Sequence, residues 1–233
     1  MSWIDDLIDE QTREARCLRW FRFYPRTLST TTKQELTDAE QTLSGDRLLD
    51  FYGDILHLSW LECNYAYARA RARLEKLRHP DVTAETTPEL ELTQTRKQFK
   101  EKYGIETLPD HVDGWWLLPG DAERATCLEW FRLYPTPLAE KTKRELAAVE
   151  QTLNREQLLD LYNDILRLSW LECNYTYAHE FACLSGERSL GADVDAFAGP
   201  ELCQTKKDFR KKYGVEVINV FIEEWRQAGY TLI

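Results

Sequence analysis

Three stretches of this 233-residue chain return 110 residues later. CLRWFRFYP at residues 17–25 is matched by CLEWFRLYP at 127–135. LHLSWLECNYAYA at 56–68 is matched by LRLSWLECNYTYA at 166–178, and QTRKQFKEKYGIE at 94–106 by QTKKDFRKKYGVE at 204–216. Between residues 17–67 and 127–177, 32 of 51 positions are identical. The repeat length is near the usual size of a domain. It predicts a tandem duplication, with one copy at residues 1–119 and the other at 120–233. The turn Pro119-Gly120-Asp121 at the join is too short for a free linker. The copies are therefore expected to pack together in a pseudo-two-fold arrangement, filling the role of a homodimer.

The periodicity predicts an all-α fold with the same parts in each copy. A short first helix should stop at Tyr24-Pro25 and Tyr134-Pro135, since proline cannot continue it. A second helix should span 29–43 and 139–153, with Ser29 as an N-cap in the first copy. The third and longest should run from Asp46 to His79, and from Arg155 to about Ser185. It is apolar over more than one face, which marks it as central to the core. A polar stretch at 79–88 and one at 185–200 with Gly186, Gly191, Gly199 and Pro200 follow, and the second reads as a loop. A fourth helix should end at Tyr103-Gly104 and Tyr213-Gly214, where glycine supplies a left-handed C-cap. Residues 105–108 and 215–218 alternate weakly and suggest short strands or extended connectors. A fifth part carries Trp115 or Trp225, with Asn219 as the N-cap of a last helix to about Ala228.

Apolar residues make up 43% of the chain and aromatic residues 12%, ample for a core. The net charge of −10 is shared, −4 in residues 1–110 (16 basic, 20 acidic) and −6 in the rest (14 basic, 20 acidic). An acidic surface disfavours broad contact with phosphate backbones and anionic membranes, and suits a basic protein partner. The start, MSWIDDLIDEQ, lacks the basic flank and apolar stretch of a signal peptide. No stretch is apolar enough for a membrane span. Six cysteines occur without a CxxC pair, and four of them, Cys17, Cys63, Cys127 and Cys173, sit at repeated positions. Buried free thiols in a reducing cytoplasm are expected.

Polar residues retained by both copies are harder to assign to packing. Ser59, Glu62, Cys63 and Asn64, with Ser169, Glu172, Cys173 and Asn174, fall in the middle of the most apolar helix. A carboxylate there needs a partner, and Arg22 and Arg132 are retained and could provide one. With Tyr52 and Tyr162 these residues form either a buried polar network that fixes helix register or a pocket for a small ligand. The second set is basic. Lys97, Lys100 and Lys102, with Lys207 and Lys212, lie near helix C-termini, where the helix dipole favours cations. Arg69, Arg71 and Arg73 belong to the first copy alone. If nucleic acid binds, this Arg69–Lys102 region is where it should do so.

Catalytic signatures are missing from the sequence. None of His57, His79, His111 and His179 is matched by a histidine in the other copy, and no nucleotide-binding or nucleophile-elbow motif occurs. Asp54 and His57 resemble half of a metal-ligand face, but His57 becomes Arg167 in the second copy. No catalytic residue, metal or cofactor is assigned. The leading expectation is a cytoplasmic, non-enzymatic interaction module such as an adaptor, inhibitor or assembly subunit. A nucleic-acid-associated protein and an enzyme or ligand binder with a pocket at Glu62 and Glu172 are the alternatives. The oligomeric state does not follow from the sequence.

Overall fold

The computed structural model of the protein describes residues 16–23, 28–79, 89–107, 126–185 and 188–218. The parts predicted around Trp115, Trp225 and Asn219, the join at Pro119–Asp121, and most of the 79–88 stretch lie outside these residues. Within them the protein is all-α, with eight α-helices and no β-strand. Residues 105–107 and 215–218 are extended connectors, so of the two readings offered for them the strand is not the one found.

Helix α1 (Arg16–Arg19) passes into a 3₁₀ turn, Trp20–Phe23. Helices α2 (Thr30–Thr42), α3 (Asp46–Arg78) and α4 (Glu89–Tyr103) complete the first half. In the second half, α5 (Cys127–Trp130) passes into the 3₁₀ turn Phe131–Leu133, followed by α6 (Glu140–Glu150), α7 (Arg155–Ser185) and α8 (Arg188–Tyr213). The ends follow local chemistry. The Ser29 hydroxyl accepts from the Thr32 amide at 3.0 Å, capping α2. Gly104 and Gly214 take φ of 73° and 72°, the left-handed cap that closes α4 and α8.

One expectation fails. Residues 185–200, read as a loop because of Gly191, Gly199 and Pro200, are helical from Arg188 onward, with Pro200 inside α8. A proline within a helix forfeits one backbone hydrogen bond. Pro200 is exposed, so water can reach the turn that loses it. A Cβ added at Gly199, just before it, would stand 3.8 Å from the Tyr175 ring, an ordinary contact.

Each half builds a core around its long helix. Cys17, Phe21, Leu36, Phe51, Ile55, Leu58 and Phe99 pack in the first. Cys127, Trp130, Leu146, Leu161, Ile165, Leu168 and Phe209 pack in the second. The same hydrogen bonds tie both. Glu40 accepts from the Cys17 amide (3.0 Å) and the Tyr52 hydroxyl (2.5 Å). Glu150 accepts from the Cys127 amide (2.7 Å) and the Tyr162 hydroxyl (2.8 Å). Thr32 donates to the Glu106 carbonyl and Thr142 to that of Glu216.

The long helices α3 and α7 do not stay in their own halves. They run antiparallel, and each spans about 50 Å at the α-helical rise. Ala70 and Leu74, late in α3, are buried in the second core, while Leu184, at the end of α7, packs against the first. Along α3 the facing residues Gly53, Leu56, Trp60, Cys63, Tyr67, Ala70 and Leu74 step by three and four, the spacing of a coiled-coil seam. Opposite them lie Leu184 near Gly53, Tyr177 on Trp60 (4.9 Å between ring centroids) and Trp170 on Tyr67 (5.7 Å). Gly53 is the weak link of this seam. A Cβ there would meet Leu184 at 3.8 Å, an ordinary contact, and glycine within a helix is unfavourable. Gly53→Ala should therefore stabilise the protein by ~0.5–1 kcal/mol in urea denaturation.

Candidate functional site

The retained segment Ser-Trp-Leu-Glu-Cys-Asn sits where the two long helices cross. Asn64 donates to the Trp60 carbonyl of its own helix (2.9 Å), which aims its side-chain oxygen across the seam at the Trp170 indole N–H (2.9 Å). Asn174 does the same: it donates to the Trp170 carbonyl (2.7 Å) and accepts from the Trp60 indole (2.8 Å). The two bonds are reciprocal: each asparagine oxygen accepts from the indole of the other helix, while the buried Ser59 and Ser169 hydroxyls have no hydrogen-bond partner among the described residues. Between them the Cys63 and Cys173 thiols meet beside Leu56. The hydrogen bond to Cys63, together with burial, pushes the Cys173 thiol well above its ordinary range.

Glu62 and Glu172 point away from the seam, each toward the helix packed on its outer side. Arg96 on α4 holds Glu62 through two guanidinium hydrogen bonds, the one from Nε at 2.6 Å. Lys206 on α8 holds Glu172 at 2.7 Å, and the Tyr134 hydroxyl also bonds to it. Burial and the neighbouring carboxylate keep the Tyr134 phenol protonated well beyond its usual range. The expected partner Arg132 is exposed instead, and the Arg22 side chain lies outside the described set. Arginine at 96 becomes lysine at 206, so the position retains its charge and not its identity. A search for identical residues passes over it, whereas a search for retained charge finds it.

The predicted polar cluster is therefore three separate networks. Tyr52 and Tyr162 belong to Glu40 and Glu150, not to Glu62 and Glu172. Asn64, Cys63 and their counterparts belong to the seam. What remains of the cluster is two ion pairs, Arg96–Glu62, whose carboxylate is buried, and Lys206–Glu172, which is partly buried. Glu62 is 1% exposed, and its carboxylate is covered by Arg96.

The basic set also separates. Lys102 and the Tyr103 hydroxyl both bond to Asp54 at 2.7 Å, and Lys212 and Tyr213 both bond to Asp164 at 2.8 Å. Burial and the bond to Asp54 push the Tyr103 phenol up to about 12. Lys97 pairs with Glu101 and Lys100 with Glu106. Arg69 bonds to the Tyr65 hydroxyl at 3.1 Å, and Arg73 is also engaged. Asp54, beside Lys102, and Arg69 stand 15 residues apart on α3, about 22 Å along the helix. Lys102 and Arg69 are therefore well separated along the helix. Among the expected cations, Arg71 and Lys207 have no acidic partner among the described residues.

A groove of about 320 Å³ opens between α7 and α8, lined by Asp164, Arg167, Glu201, Gln204, Thr205, Asp208, Phe209 and Lys212. Its polar groups are paired with one another: Asp164 with Lys212, Arg167 with Glu201 at 3.5 Å, and Gln204 with Asp208 at 3.0 Å. The thiols offer little chemistry. Cys17, Cys63, Cys127 and Cys173 are buried. Burial and the nearby Glu150 carboxylate push the Cys127 thiol up to about 12, and reactivity needs the thiolate. Cys183 and Cys203 are exposed. A disulfide-exchange reagent should modify two thiols per folded chain and six after denaturation. Rapid modification of more than two in the folded protein would contradict this packing.

No known protein family, characterised protein or solved structure matches the chain. Among the described residues, no helix is long and apolar enough to cross a membrane.

Proposed function

We propose that this chain is a tandem duplication of one helical unit, residues 1–119 and 120–233, folded as a pseudo-two-fold dimer in a single polypeptide. Its work is to bind a basic protein partner in the cytoplasm without catalysing a reaction. The observation that carries this reading is where the retained polar residues go. Asn64, Glu62, Asp54 and Glu40, with their counterparts 110 residues on, all bond within the protein and hold helix to helix. Those residues serve architecture, and the net charge of −10 is left to meet a partner at the surface. Arg71 and Lys207, on different helices, leave the nucleic-acid alternative little to stand on.

The test is purification of the full chain from its native cells under low salt. The expected companion is one stoichiometric protein of positive net charge, released as salt is raised. Nucleic acid as the stoichiometric companion would overturn the reading, as would turnover of a substrate that is lost on Glu62→Gln.

A further inference from the structure

The two ends of the α3/α7 seam have the same architecture and different surfaces. At one end four rings form a ladder. His57 lies 5.9 Å from Trp60, Trp60 stacks on Tyr177 at 4.9 Å, and Tyr177 lies 6.0 Å from Phe181. Phe181 ends the ladder 45% exposed. At the other end Trp170 and Tyr67 stack in the same way, but the outer positions are Arg167 and Arg71. The seam therefore packs without an aromatic residue at the place of Phe181, so packing does not account for that ring.

The charge around the two ends differs in step. Counting Lys102, which sits on Asp54, residues 46–57 and 177–185 carry four acidic side chains (Asp46, Asp50, Asp54, Glu180) against two basic (Arg47, Lys102), a net −2. Counting Lys212, which sits on Asp164, the equivalent residues 156–167 and 67–75 carry four acidic and five basic side chains, a net +1. An exposed ring such as Phe181 in a negative field attracts cations, guanidinium groups above all, because the ring quadrupole and the carboxylates act in the same direction. We propose that the His57–Trp60–Tyr177–Phe181 end of the seam is a docking surface for an arginine-bearing segment of a protein partner. This rests on the reading of the chain as a binder of basic proteins and specifies where binding occurs.

The probe is a short peptide of alternating arginine and glycine, titrated calorimetrically into the full chain at low salt. Phe181→Ser and Phe181→Leu both leave the net charge unchanged, and each should weaken binding about fivefold or more. Phe181→Leu keeps an apolar side chain, so the loss it causes reports on the ring itself. Leu90→Ala, which shortens another exposed apolar side chain on α4, should leave affinity unchanged. Because Phe181 is exposed, the variants should melt with the parent, and a matched melting midpoint shows that the fold is intact. If the peptide binds the parent and both Phe181 variants equally, the docking surface is wrong while the broader reading survives. If the peptide does not bind the parent at all, both fall. A dimer of the chain alone that Phe181→Ser dissociates would make a second copy the occupant and overturn the proposal.

Discussion

A fragment ending at residue 119 will not fold as a monomer. The second half of α3 has no core of its own to enter. Ala70 and Leu74, each 1% exposed, are buried among Trp130, Tyr162 and Leu166, and Leu77 packs beside them. Cutting the chain exposes that face and removes Leu184 from the first core. The Trp60 and Asn64 side chains lose Asn174 and Trp170 at the same time. Burial of a Leu side chain alone is worth ~1.5–3 kcal/mol, and a domain's whole stability is only ~5–15 kcal/mol. The fragment should therefore be poorly helical by circular dichroism, or should dimerise through its own copy of the seam. Mixing it with residues 120–233 should restore helicity as a one-to-one complex. A monomeric fragment that unfolds cooperatively would show that the crossing is not essential to either core.

Arg96→Ala should be the most damaging of the ion-pair substitutions. It leaves the Glu62 carboxylate, 1% exposed, without the guanidinium that offsets its lost hydration. Breaking a buried pair costs ~3–5 kcal/mol; with Arg96 itself 32% exposed, water offsets part of this, and the loss should be about 3 kcal/mol. Lys206→Ala should cost only ~1 kcal/mol, because Glu172 is 12% exposed and water reaches its carboxylate. Arg96→Lys should recover most of the loss, since lysine already fills the equivalent position. Urea denaturation of the three variants tests the order; equal losses for Arg96→Ala and Lys206→Ala would show that burial of Glu62 does not set the cost.

The local elements could largely be read from the residues. Asp46 and the caps at Ser29, Gly104 and Gly214 are punctuation that acts within one turn, and the helices obey it. The failures came where distant groups decide. Pro200 reads as a breaker, yet exposure lets a helix carry it. Glu62 has its partner 34 residues away on another helix, and no spacing rule points to Arg96. The seam was present as a three-and-four step through Gly53, Trp60, Cys63 and Ala70, but glycine, cysteine and alanine do not stand out in a hydrophobic pattern. Once the seam is seen, the retained asparagines are no longer candidates for chemistry. They are the cross-ties that set one helix against the other.

A symmetric homodimer receives every substitution twice. A phenylalanine placed at one end of its seam appears at the other, and it presents two identical faces to its surroundings. In this chain position 181 and its equivalent, position 71, are separate codons, and they hold Phe181 and Arg71. A partner that docks at the Phe181 end therefore finds one site per chain and one orientation. The complex would be one-to-one and directional, and could not crosslink partners into larger assemblies.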